Sequence, residues 1–126
     1  MDWLITIPKT IRWSDYEKEL ATVSDGSSVM NYKTRYIPKG MASGDRCFIV
    51  HDGRVRGWME VVGIESRDKP WRCTTTGALW PAGQYIQRSG EFHEVDGPEY
   101  TGFRGIRKYE PPSASKVATQ WARRNL

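Results

Sequence analysis

The sequence predicts an α+β fold: a small, mixed, mostly antiparallel β-barrel with an early helix and a C-terminal helix. Three observations carry this. A chain of 126 residues is one domain by size and can enclose a single core. Six Trp, six Tyr and three Phe put the apolar area into large side chains that favour strands, while 12 Gly and 7 Pro supply turns. The stretch 40–64, GMASGDRCFIVHDGRVRGWMEVVGI, reads as a two-strand unit on which the other elements can be placed.

The elements follow in order. Trp3–Ile7 (WLITI) predicts a strand stopped by Pro8. Ser14 with Glu17 three residues on is a capping-box pattern, and Tyr16, Leu20 and Val23 recur at helical spacing. A helix of about ten residues, 14–23, is therefore expected, with Asp25-Gly26 as its stop. Residues 31–37 (NYKTRYI) alternate as a strand does, and Pro38 ends them. Gly44-Asp45 predicts a turn, and residues 46–51 a short strand. Asp52-Gly53 predicts a type I′ hairpin turn, which needs φ > 0 at both central positions. The returning strand, 54–64, is expected to be broken at Gly57 by a bulge or a close backbone approach. After a loop at 66–70, a strand is expected at 71–75 and a turn region holding Trp80 at 76–81. Another strand follows at 83–88, then a Ser89-Gly90 turn. Residues 91–95 are expected to form the paired strand or an extended loop. Residues 100–109 are expected to form a bulged closing strand. Pro111-Pro112 marks a boundary between a domain at 1–110 and a basic tail or helix at 111–126.

Composition narrows the function classes. The net charge is +4, from 19 Lys and Arg against 15 Asp and Glu. Three of the cations, Lys116, Arg123 and Arg124, lie in the acid-free segment 111–126, which leaves 16 against 15, a net +1, for the body. A basic face must therefore come from local placement rather than overall charge. No stretch approaches the roughly 18 apolar residues of a membrane span, and a cytoplasmic protein that does not meet the membrane is expected. Cys47 and Cys73 are expected as reduced, buried thiols, with their proximity left open. Cys47, His51, Cys73 and His93 lack paired metal-ligand spacing, so neither a metal nor a cofactor is expected. His93 is weighed as an acid or base, or as a satisfied hydrogen-bonding residue. Phosphate-loop, dinucleotide-fingerprint, nucleophile-elbow and zincin motifs are absent from the sequence.

The order strand, helix, strand, Gly44-Asp45, strand, turn, strand ending in EVVGI resembles the PUA-like superfamily, specifically its ASCH- and EVE-type domains. The resemblance spans roughly residues 1–65, through Trp3–Ile7, the helix from Ser14, Lys33-Thr34-Arg35, Gly44-Asp45 and Val61. WPAGQYIQRSGEFHEV followed by YTGFRGIRKY is similar to a terminal portion of bacterial and prophage proteins of this kind. The resemblance implies a pseudobarrel that binds RNA, DNA or a modified base, the base resting on aromatic side chains. It also implies an alternative, a small hydrolase acting on nucleic acid or a modified nucleoside.

The residues offer the matching chemistry. A single-stranded or flipped base needs stacking surfaces interleaved with cations. Trp13, Tyr32, Tyr36, Trp58, Trp71, Trp80 and Tyr85, with Lys33, Arg35, Arg54, Arg56, Arg72 and Arg88, are the pool. Lys33, Arg35, Trp80, Tyr85, Arg88 and Trp13 are singled out as nucleic-acid contacts. The competing reading of each aromatic is core packing, and of each cation a solvated strand face. For the hydrolase alternative the candidates are Lys33 as base, Thr34 as nucleophile and Glu60 as the orienting carboxylate. In the tail, Lys116, Arg123 and Arg124 are candidate phosphate contacts. Val117 and Trp121 would dock on the barrel, on a partner protein or on a second copy of the chain. The third alternative is thus a phage- or prophage-type interaction module working through that helix.

Overall fold

Asp2–Ile7 forms the first strand, β1, and all but its first and fifth residues are buried. It belongs to a computed structural model of the protein, which describes residues 1–73, 75–97, 99 and 105–109. The other described elements are α1 (Trp13–Val23), β2 (Met30–Thr34), β3 (Arg46–His51) and β4 (Arg54–Arg67). They continue with β5 (Trp71–Arg72), β6 (Leu79–Trp80), β7 (Gly83–Glu94) and β8 (Ile106–Lys108). Six of the strands make one sheet in the order β2-β7-β4-β3-β1-β8, and β5 with β6 makes a separate ribbon. The sheet curls into a half-barrel with one short helix among the described residues. Its pairings are antiparallel except β1 with β3, which run parallel.

The helix explains the concave core. Tyr16, Leu20 and Val23 lie on its buried face, and α1 packs across β2 and β7. Facing them are Ile5, Ile7, Met30, Cys47, Ile49, Met59, Val61 and Ile86. The helix starts one residue earlier than the capping box predicts. Arg12 is the N-cap and no side chain caps it, so burial of the apolar stripe, rather than a Ser14 cap, sets its position. The stop is as predicted, with Gly26 at φ 78° and its N–H donating to the Val23 carbonyl.

The organising hairpin forms as the sequence indicates. Asp52 and Gly53 have φ of 51° and 74°, as a type I′ turn requires. The β3–β4 register slips between Ile49 and Val50, opposite Gly57. A methyl group on Gly57 would lie 2.3 Å from Phe92 Cζ and 2.5 Å from the His93 carbonyl oxygen. Both expected features, bulge and close approach, therefore meet at one residue.

Elsewhere the chain departs from expectation. Ser89-Gly90 is not a hairpin turn: β7 runs unbroken for 12 residues and bends at Gly90, φ 86°. The reason lies in β4, whose 14 residues offer a partner along almost the whole length. The strand expected at 31–37 ends at Thr34, opposite Gln84, because β7 supplies no partner beyond Gly83. The strand expected at 71–75 shrinks to two residues, and Trp80 belongs to a strand rather than a turn. Of the closing strand expected at 100–109, Ile106–Lys108 pairs with β1. Residues 100–104, the boundary near 110 and the C-terminal helix lie outside the described residues, so Lys116, Trp121, Arg123 and Arg124 are not placed.

Candidate nucleic-acid interface

The end of β7 that begins at Gly83 gathers several of the singled-out residues. Lys33 of β2 stands opposite Tyr85, and Tyr85 stands opposite Glu65 of β4, so the three occupy one row across the sheet. Strand alternation puts Tyr85 on the opposite face from Ile86, which lies in the concave core. Tyr85 is nonetheless fully buried, because the β5–β6 ribbon folds over it. Its ring meets Trp71 edge-on, centroids 5.1 Å apart, and Trp80 at 5.5 Å. Trp71 and Trp80 are cross-strand partners with centroids 5.8 Å apart. The Tyr85 hydroxyl donates to the Pro81 carbonyl, which pins the start of β7 beneath the two indoles.

Cations surround this aromatic group. The Arg67 guanidinium lies 4.0 Å from the Trp71 ring centroid, a cation–π distance. It also donates to Glu65, which accepts from Gln87 as well. The Lys33 side chain lies over Gly83: a methyl group there would sit 3.1 Å from Lys33 Cε. Gly83 thus leaves room for the aliphatic stem, and the ammonium sits exposed beside the platform. Arg35, Arg72 and Tyr36 are exposed nearby in sequence, Tyr36 at 68% and Leu79 at 64%. The indole N–H of Trp71 and Nε of Arg67 are buried without a hydrogen-bond partner.

The remaining candidates fall elsewhere. Arg88 was expected on phosphate, but it is 1% exposed and its NH1 donates to the Tyr16 hydroxyl at 2.6 Å. It is a core residue, 5.9 Å from the Tyr32 ring centroid. Burial opposes its charge, while Tyr16, Cys47 and Glu19 favour it, and the balance lies above the ordinary arginine pKa. Tyr85 likewise supports the platform rather than offering a face. Trp13 lies at the other end of the half-barrel, stacked on Tyr16 at 5.4 Å and close to His51 and Phe92.

The hydrolase candidates do not converge. Glu60 stands on β4 opposite Arg46 and Ser89. It is five positions from Glu65 on Lys33's row, roughly 15 Å along the strand. The Thr34 hydroxyl donates to the Tyr36 carbonyl at 2.9 Å. Nor do the thiols and imidazoles form a cluster. Both cysteines are free, and among the described residues no group of three His, Cys, Asp or Glu side chains could hold a metal ion. Burial pushes the Cys47 thiol up to about 11. His93 stacks flat on Trp58, centroids 3.9 Å apart and planes 13° apart. Arg46 lies 5.5 Å from the same indole while pairing bidentately with Asp2.

Sequence reasoning missed Arg67 and Glu65. The returning strand is expected to end at Ile64 and a loop to span 66–70, whereas β4 continues to Arg67. No sequence signal marks them: Gly63-Ile64-Glu65-Ser66-Arg67 has no apolar–polar alternation that matches its burial, and Ile64 is 40% exposed. Comparison with family models, with curated proteins and with solved structures gives no match to this chain.

Proposed function

We propose that the protein is a PUA-like module that binds single-stranded RNA or DNA, or a modified nucleotide, on the Trp71–Trp80 platform. The observation that carries this reading is the gathering of two partly exposed indoles, the Arg67 guanidinium and the Lys33 ammonium around one strand end. Bases stack on indole and guanidinium planes, and the stacking tolerates any base because every base has a π-face. Lys33 then meets a phosphate as a point charge. The order strand, helix, strand, Gly44-Asp45 turn and hairpin supports the PUA-like assignment.

The test is a titration of the full chain with short single-stranded oligonucleotides, followed by intrinsic tryptophan fluorescence. Stacking predicts saturable quenching that Trp80→Ala weakens about 5- to 150-fold in affinity, matching ~1–3 kcal/mol per stacked base. Trp80→Phe, which keeps an aromatic face, is expected to retain most of the binding. Affinity unchanged in Trp80→Ala, with the fold intact by circular dichroism, would contradict the reading.

A further inference from the structure

At the opposite end of the β4–β7 pair lies a cavity of about 400 Å³ lined by Trp13, Arg54, Val55, Arg56, Glu94, Val95 and Asp96. Its volume falls in the range of small-ligand sites, ~300–1,000 Å³. Four of the lining side chains are charged, and they divide into two kinds. Arg54 and Asp96 satisfy each other at 2.8 Å. Arg56 and Glu94 do not: among the described residues, neither side chain has a hydrogen bond or ion pair. Arg56 Nε is buried with no partner, and its guanidinium lies 5.4 Å from the Trp13 ring centroid. The two residues are held near each other by the backbone. Gly57 stands opposite Glu94, and the Val95 N–H donates to the Arg56 carbonyl at 3.0 Å.

The cavity offers a guanidinium whose buried Nε has no partner, a solvent-exposed carboxylate with no protein partner among the described residues, and an indole–guanidinium surface. The complementary ligand is planar, with two acceptors on one edge and two donors on another. We infer that the cavity is a nucleobase site selective for guanine. Guanine presents O6 and N7, which a guanidinium takes with two parallel hydrogen bonds. On its other edge it presents N1–H and the exocyclic amino group, both donors, which an ionised carboxylate accepts. Adenine places its amino group where O6 should be and a bare N1 where the carboxylate needs a donor, so each contact turns unfavourable. Hypoxanthine keeps O6, N7 and N1–H and lacks only the amino group. The site is separate from the platform; only its use in reading a strand rests on the nucleic-acid reading above.

The experiment uses the full chain and the free mononucleotides GMP, IMP and AMP in isothermal titration calorimetry. GMP is expected to bind about tenfold or more tightly than AMP, with IMP between them. Glu94 is exposed, so Glu94→Gln leaves the fold intact; it is expected to cut the preference of GMP over AMP severalfold, with the remainder held by Arg56 on O6 and N7. Arg56→Lys, which keeps the charge and loses the planar fork, is expected to weaken GMP about tenfold or more. Equal affinity for GMP and AMP would overturn the proposal. So would a GMP affinity indifferent to Glu94→Gln, or no saturable binding of any of the three at millimolar concentration. Absence of GMP selectivity with oligonucleotide binding still dependent on Trp80 refutes the cavity alone. GMP selectivity with oligonucleotide binding indifferent to Trp80 refutes the platform alone.

Discussion

Arg88 takes a positive charge into the core and meets a phenol instead of a carboxylate. Its Nε has no partner, so the Tyr16 hydroxyl is its one hydrogen-bond acceptor among the described residues. Tyr16→Phe alone removes that acceptor and is expected to destabilise the fold by about 1–3 kcal/mol. Tyr16→Phe with Arg88→Met removes both partners and the buried charge, and its stability is expected to lie above that of the Tyr16→Phe single variant. Urea unfolding of wild type and the two variants checks the sign; a double variant less stable than Tyr16→Phe would contradict it. Asp45 is the second residue of this kind. Its carboxylate accepts the Trp3 indole N–H and the Ala42 backbone N–H, each at 2.9 Å. Burial alone would raise its pKa, but these bonds and the Met1 amino group bring it below the ordinary aspartate value. A lowered folded pKa contributes stability that is complete above the unfolded value, about 3.9. That stability fades as the pH falls through the folded value. Asp45→Asn is therefore expected to cost stability at pH 7, and the gap to wild type should narrow below about pH 4. Thermal melts from pH 7 to pH 3 measure it, and a gap that widens in acid would count against the account. Neither residue's role was legible in the sequence. Arg88 lies in an apparently amphipathic run, GQYIQR, where alternation alone cannot tell which face the helix will cover. Asp45 was legible as part of a turn but not as the carboxylate that holds Trp3.

At the scale of elements, the turns were the most legible features because their chemistry is local. Asp52-Gly53 and Gly26 adopt the positive φ their positions require whatever surrounds them. The strands were less so, because a strand's length is set by its partner. Ser89-Gly90 carries a turn signal, yet β4 extends alongside and draws residues 91–94 into β7. The two-residue strands β5 and β6 give no periodicity to read, and only the pairings Trp71–Trp80 and Arg72–Leu79 define them. The capping box failed for a related reason: where α1 begins follows from where Trp13 and Tyr16 pack, not from Ser14. Gly57 joins the local and the distant, since its place in the sequence signals a bulge while the reason for it is the Phe92 ring from another strand. Gly57→Ala forces that ring and the adjacent backbone apart and is expected to destabilise by about 1–3 kcal/mol. Chemical denaturation checks this, and a loss below half a kcal/mol would show that β7 gives way freely there.

Over the whole molecule, β4 and β7 form a long antiparallel pair with a chemically distinct site at each end. Where β4 ends and β7 begins sit the two indoles, Arg67 and Lys33. Where β4 begins and β7 ends sits the cavity with Trp13, Arg56 and Glu94. The overall charge of +4 gave little guidance to either, because the cations that matter are brought together by register. Lys33, Trp80 and Tyr85 were each legible as candidates by residue type, but only pairing reveals that they adjoin and that Tyr85 lies beneath. The central claim is that this platform holds a single strand by stacking and by Lys33 on phosphate. The measurement that tests it most directly is fluorescence anisotropy with labelled single-stranded RNA and DNA over a salt series. Wild type, Trp80→Ala, Lys33→Ala and the double variant would be compared. The account predicts that Trp80→Ala lowers affinity equally at every salt concentration. Lys33→Ala should instead flatten the dependence of log affinity on log salt by about 0.7, the share of one phosphate contact on a single strand. Binding with the same affinity and the same salt slope in all four proteins, or no binding at low salt, would contradict it.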